Sequence, residues 1–187
     1  MKSPNPTWLG LLYAFSELYL GLTHRSGTSA VSRDKKSLRV LWIIILATVF
    51  FGINSVAWFP SAAMPHRHIL RWTGLVVFVL GLAFRWYSIG YLGKFFTVDV
   101  AIHSEHRVIE RGPYRFIRHP SYAGALLAFL GLGLCVGNWC SLAIFTIPTT
   151  IAFLLRINVE EKALADALGA NYRSYQQRTK RLIPFIY

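Results

Sequence analysis

The sequence predicts an all-α integral membrane protein of about five transmembrane helices, with a long polar loop before the fourth and an amphipathic helix at the C-terminal end. Three observations predict it. Hydrophobic residues make up 54% of the 187 residues and mean hydropathy is +0.42, which is unusual for a soluble domain. Residues 40–65 and 121–155 carry no Asp, Glu, Lys or Arg, and residues 72–93 carry only Arg85. A helix needs about 20 apolar residues to cross a hydrocarbon core, and these stretches supply them. The third observation is where the charge lies. Outside the spans, Lys and Arg number one (Lys2), five (Arg25, Arg33, Lys35, Lys36, Arg39), two (Arg67, Arg71) and five (Lys94, Arg107, Arg111, Arg115, Arg118). None falls at 137–139, and six follow from Arg156 to Arg181. Few and many alternate at every crossing, as the positive-inside rule asks of a five-span, multi-pass chain with its N-terminus outside. The net charge of +12 is therefore an orientation signal, and nucleic-acid binding is set aside.

The first helix, about residues 8–22, is the weakest span because it is short and carries Glu17. Lys2 is too thin an n-region for a signal peptide, and THRSG is no cleavage site. The second and third spans cover about 40–60 and 70–92. The fourth, about 120–137, opens on Pro120, whose missing N–H costs nothing in a first turn. Only Gly137, Asn138 and Trp139 separate it from the fifth, about 139–157, so the two form a tight hairpin. Pro148 removes a backbone donor inside the fifth and is expected to kink it. Cys135 and Cys140 read as small apolar helix residues rather than a disulfide or metal pair. The chain is thus one membrane domain, three spans in 1–92 and a polar loop, hairpin and C-terminal helix in 93–187.

The loop from 93 to 118 holds Asp99, His103, Glu105, His106, Glu110 and a GPY turn, and is too long for a mere connector. In the tail, Leu164, Leu168, Tyr172 and Tyr175 recur at helical spacing, which predicts an amphipathic helix lying along the interface and capping what the loop builds. Between them stands RGPYRFIRHPSYAG, residues 111–124. His103, His106 and His119 could supply imidazoles, yet no Cys or carboxylate stands at a spacing that fixes a metal. A G-x-S-x-G elbow and a G-x-G-x-x-G fingerprint are both missing. What remains is a polar concavity at the membrane surface, where His119 and tyrosines can stack and hydrogen-bond a planar ligand. Arg156 and Glu160, one helical turn apart, add charge at the exit of the fifth span, with Glu161 beside them. Arg111, Arg115 and Arg118 read as contacts to anionic headgroups, most simply for the first two.

The blocks HRVIERGPYRFIRHPSYAG, RINVEE and LGANYRSYQQRTKRLIPF, in that order, resemble the isoprenylcysteine carboxyl methyltransferase family from about residue 85 onward. The resemblance implies S-adenosylmethionine as methyl donor, held in a cytoplasmic pocket of the loop and last two helices. It also implies a lipophilic, isoprenylcysteine-like acceptor arriving from the bilayer among membrane lipids. By position, His106, Arg107, Val108 and Ile109 resemble the family's first cofactor strip, and Tyr114 the tyrosine of its glycine turn. His119, Pro120, Ser121 and Tyr122 match the RHPxY strip, Glu160 the cofactor-side glutamate and Arg156 the acceptor-binding arginine. Asp99 departs from the glutamine some members carry. The rival readings are an amine acceptor, as in related phospholipid N-methyltransferases, a sterol-type reductase using NADPH, and a scaffold that binds anionic lipid. The RHPSY and EE blocks disfavour the scaffold, which needs only scattered Lys and Arg.

Overall fold

The computed structural model describes residues 5–24, 35–97 and 107–187, and these residues are all-helical. Six α-helices follow in order: α1 (Pro6–Thr23), α2 (Lys35–Trp58), α3 (Arg67–Leu92), α4 (Pro120–Val136), α5 (Trp139–Leu168) and α6 (Ala170–Arg178). Among the described residues, three helices are long and apolar enough to cross a membrane, at Ser37–Trp58, Arg67–Leu92 and Trp139–Leu168, and α4 is a shorter apolar helix. The 18-residue α1, interrupted by Glu17, falls outside that set.

Apolar side chains cover the outer surface of the bundle as well as its core, and polar ones are enclosed. The described interior holds Ser16, Glu17, Thr48, Ser55, Arg85, Ser88, Ser141 and Thr149, while Leu11, Phe15, Ile43, Leu46, Phe50, Val79 and Leu80 face outward. Polar groups that would be stranded in lipid meet one another inside, as Ser55 and Ser141 do at 2.6 Å. Between helices already in lipid there is little hydrophobic driving force, so close packing must hold the bundle.

Glycine supplies that packing between α3 and α4, the closest pair of helices. A Cβ on Gly81 would lie 2.5 Å from the Ala128 nitrogen and 2.7 Å from the Gly124 carbonyl, and one on Gly131 would lie 2.3 Å from the Phe78 nitrogen. Two glycines seven residues apart on each antiparallel helix (Gly74 and Gly81, Gly124 and Gly131) thus bring backbone against backbone. The remaining helices pack as α2 on α5 and α4 on α5, with Phe129, Phe145 and Phe153 in the shared core.

The hairpin turn is as tight as expected. Gly137 takes φ 70°, and Asn138 caps α5 by accepting from the Cys140 and Ser141 amides at 2.9 and 3.2 Å. Its amide also donates to the Phe59 carbonyl at 2.8 Å, pinning the hairpin to the α2–α3 connection. Helix α5 passes through Pro148 unbroken, and the hydroxyls of Thr146, Thr149 and Thr150 hydrogen-bond carbonyls of the preceding turn.

The expected fifth span and amphipathic tail helix divide differently. Helix α5 continues eleven residues beyond 157, to Leu168, and stops at Gly169 with φ 57°. Its 30 residues make about 45 Å against a core of about 30 Å, so its last third projects beyond the hydrocarbon. Only the nine residues of α6 remain as a separate helix. The stripe of Leu164, Leu168, Tyr172 and Tyr175 survives the break and faces one cavity.

Candidate functional site

The cavity opens at the end of the bundle where α3 finishes, α4 begins and α5 projects. It encloses about 870 Å³, counting the part open to solvent. Leu92, Phe95, Phe96 and Thr97 close one side, and Arg107, Val108 and Ile109 run along it. Tyr114 reaches in from the glycine turn, and Arg118, His119, Ser121 and Tyr122 from the start of α4. Arg156, Glu160, Leu164 and Leu168 stand along one stripe of α5, and Tyr172 and Tyr175 continue it on α6.

Each wall has a local cause. Gly112 has φ 55°, and a Cβ there would meet the Tyr91 ring at 2.5 Å, so the turn that delivers Tyr114 needs glycine. Pro113 and Pro120 sit in the first turns of the short 3-10 turn 112–115 and of α4, where a proline's fixed φ suits the backbone. The chain at 116–119 then pairs with 180–181: the Lys180 amide donates to the Phe116 carbonyl at 3.1 Å, and the Arg118 and His119 amides donate to Lys180 and Arg181 carbonyls at 2.7 and 3.0 Å. The Tyr175 hydroxyl completes the clamp on the Tyr114 carbonyl at 2.7 Å.

The two adjacent glutamates part company. Glu161 points into the protein, 5% exposed, and accepts Arg118 Nε at 2.7 Å, His119 Nε2 at 3.2 Å and Arg181 Nη2 at 2.9 Å. Arg118 is therefore a buried partner of Glu161 rather than a headgroup contact, because a carboxylate and two tail carbonyls, Gln176 and Thr179, enclose it. Glu160 turns to the cavity and accepts the Tyr122 hydroxyl at 3.0 Å, with His119 Nδ1 3.9 Å away. The His119 and Tyr122 rings stack at 5.7 Å, and Tyr122 stacks on Phe153 at 5.0 Å. Arg156, 2% exposed, donates to the Ser37 hydroxyl across from α2. Tyr122 feels the charges of both Glu160 and Arg156.

The Tyr114 hydroxyl has no hydrogen-bond partner among the described residues, although its ring is 4% exposed. Burial raises its pKa well above the usual phenol value, with Glu160 adding to the shift, so it stays a neutral donor at physiological pH. Tyr172 and Tyr175 are likewise held protonated by burial.

Of the residues singled out in the sequence, Arg107, Val108, Ile109, Tyr114, His119, Ser121, Tyr122, Arg156 and Glu160 all line this one cavity. Pro120 is buried behind it as the first residue of α4. His106, with His103 and Asp99, lies outside the described residues. Sequence reasoning missed Glu161 as the hub and Arg181 as its partner. The EE pair was the signal, but adjacent residues differ by about 100° around a helix and only the register tells which faces in.

Comparison with known proteins follows the same outline. The sequence model described as the isoprenylcysteine carboxyl methyltransferase (ICMT) family matches residues 72–166. A probable protein-S-isoprenylcysteine O-methyltransferase of Oryza sativa subsp. indica is 34% identical over 119 residues, covering 63% of this chain and 62% of that protein. Protein-S-isoprenylcysteine O-methyltransferase A of Arabidopsis thaliana is 31% identical over 178 residues, 94% of this chain and 89% of the relative. A solved structure of the eukaryotic intramembrane Ras methyltransferase ICMT superposes with a TM-score of 0.64 at 28% identity, covering 82% of this chain and 54% of that one. The match therefore spans less than two thirds of the rice relative and about half of the solved protein. With an apolar outer surface, three membrane-length helices among the described residues and these matches, the chain is an integral membrane protein and belongs to the isoprenylcysteine carboxyl methyltransferase family.

Proposed function

We propose that this chain transfers a methyl group from S-adenosylmethionine to the carboxylate of an isoprenylcysteine-like or other lipophilic acceptor reached from the bilayer. One observation carries the reading: a buried hydroxyl donor without a partner among the described residues (Tyr114), a carboxylate (Glu160), stacked rings (His119, Tyr122) and a buried guanidinium (Arg156) line a single cavity at the membrane boundary. That set fits a flat, polar, cationic donor molecule. When bound, S-adenosylmethionine supplies an electrophilic methyl on a sulfonium. Tyr114 would donate to its polar groups, Tyr122 and His119 would offer stacking faces, and the carboxylate of Glu160 would favour its positive charge.

The acceptor side follows from Arg156. A planar guanidinium matches a carboxylate in two parallel hydrogen bonds, which orients the nucleophilic oxygen. A carboxylate is already ionised near neutral pH, so the site needs no general base to activate it. Leu92, Phe95, Phe96, Leu164 and Leu168 line the cavity with apolar surface that excludes water and suits a lipid chain.

The described residues that flank the Lys- and Arg-rich connections lie at the cavity end, where His24 meets Phe96 and Arg156 meets Ser37, while residues 59–64 and 137–138 meet at the other. The positive-inside rule then sets the cavity and C-terminus in the cytoplasm and the N-terminus outside. With Cys135 and Cys140 removed, single cysteines in place of Ser61 and Ser174 are expected to label from opposite sides of a sealed vesicle with an impermeant reagent. Labelling from one side would contradict this topology.

Calorimetry on purified protein tests the donor assignment: S-adenosylmethionine and its demethylated product should bind, and NADPH should not. Tyr114→Phe should cost about 1–3 kcal/mol of donor affinity while leaving thermal stability unchanged, since the hydroxyl it removes bonds no described protein group. Unchanged affinity in this variant, or saturable NADPH binding, would displace the assignment.

A further inference from the structure

Two charged residues sit alone in otherwise uncharged spans, and the structure joins them. Arg85 of α3 and Glu17 of α1 are 6% and 5% exposed and form a two-pronged ion pair, Nε to Oε1 at 2.7 Å and Nη2 to Oε2 at 2.8 Å. The third arm, Nη1, donates to the Ser121 carbonyl at 3.1 Å. Beside it the Trp86 indole donates to Ser16 at 2.9 Å, so α1 and α3 are tied at two successive positions.

Stability alone is a poor reason for such a pair. Desolvating two charges offsets most of their attraction, and apolar residues of similar volume often do as well or better. Ionisable groups at membrane depth are costly and mark function by default. The geometry indicates which. Ser121 belongs to the first turn of α4 and lines the cavity, and the next residue, Tyr122, gives its hydroxyl to Glu160 and its ring to His119 and Phe153. A Cβ on Gly124 would lie 2.6 Å from the Arg85 nitrogen, so the α3 and α4 backbones touch at this level and leave Arg85 little freedom relative to that turn.

We infer that Glu17 and Arg85 are positioning residues for the proposed methyl-donor cavity: the carboxylate aims the guanidinium, which holds the Ser121 carbonyl and with it the first turn of α4. The inference rests on the proposed donor site. It also makes α1, which lies outside the stretch matched by the family model, a working part of that site.

The test uses the full chain in lipid nanodiscs. The variant Glu17→Gln/Arg85→Met leaves no buried charge unpaired, so it is expected to fold with a melting temperature close to that of the parent. If the pair positions α4, amide exchange in residues 121–125 rises by about tenfold or more, and affinity for S-adenosylhomocysteine falls by about tenfold, because small displacements of a binding wall are expensive. Arg85→Lys, which keeps the charge but cannot serve Glu17 and the Ser121 carbonyl together, should reproduce both effects in weaker form. Exchange in that turn and ligand affinity both equal to the parent's in the folded double variant would overturn the inference and reduce the pair to structural cement. Should the parent itself bind no S-adenosylhomocysteine, the donor assignment fails separately, and the exchange measurement alone decides: faster exchange supports the pair's grip on α4, and unchanged exchange overturns it.

Discussion

Arg156→Ala is expected to reduce methyl transfer to a farnesylcysteine carboxylate by about 100-fold or more while changing S-adenosylmethionine affinity little. The argument is geometric. Arg156 is buried in the cavity wall one turn before Glu160, and the acceptor needs a fork that sets one carboxylate oxygen in line with the methyl group. Removing the fork loses alignment, an interaction worth most in the transition state, so the fall should appear in kcat more than in donor binding. Arg156→Lys restores charge without the planar pair of donors and should recover only part of the rate. Alanine at 156 with unchanged kcat and KM for the acceptor would remove this residue from the mechanism.

The second large effect lies in the packing. Gly131→Ala puts a methyl 2.3 Å from the Phe78 nitrogen and 2.6 Å from the Gly74 carbonyl, and Gly81→Ala puts one 2.5 Å from the Ala128 nitrogen. Ordinary overpacking costs about 1–3 kcal/mol because side chains yield. Here the obstacles are backbone atoms of the facing helix, so α3 and α4 must separate along their length. Either variant should lower the melting temperature of the purified protein by about 10 °C or more, or prevent recovery of monodisperse protein. Gly90→Ala is the control: nothing stands within 4 Å of its added methyl, and alanine favours a helix over glycine by up to about 1 kcal/mol. Equal stability of Gly131→Ala and Gly90→Ala would mean the helices are not in backbone contact.

How far the sequence reaches can be judged at particular residues. The spans were legible because lipid demands long uncharged helices, and the hairpin at Gly137 because little chain separates its helices. The extension of α5 to Leu168 was not. Charges end a hydrophobic span but do not end a helix, and the marker of the true end, Gly169, lay within the stretch taken for the tail helix. The cavity's lining was legible where residues stand in recognisable blocks, as in RHPSY. The Glu161 hub was not, because its partners Arg118 and Arg181 come from a loop and a tail whose pairing is long-range. The Glu17–Arg85 pair spans 68 positions, and the visible hint was that each stood as the lone charge in its apolar stretch, Glu17 in 8–22 and Arg85 in 72–93.

The central claim, methyl transfer to a lipophilic carboxylate, is tested most directly by identifying the methylated atom. Purified protein in nanodiscs containing phosphatidylethanolamine is given S-adenosylmethionine with a labelled methyl group and a farnesylcysteine bearing a free carboxylate. The account predicts label in a base-labile methyl ester of the farnesylcysteine, formed at a rate nearly independent of pH between about 6 and 8, because a carboxyl with a pKa near 4 stays ionised throughout. Label in a base-stable linkage on the phosphatidylethanolamine nitrogen, formed faster as pH rises and with none on the farnesylcysteine, would contradict it.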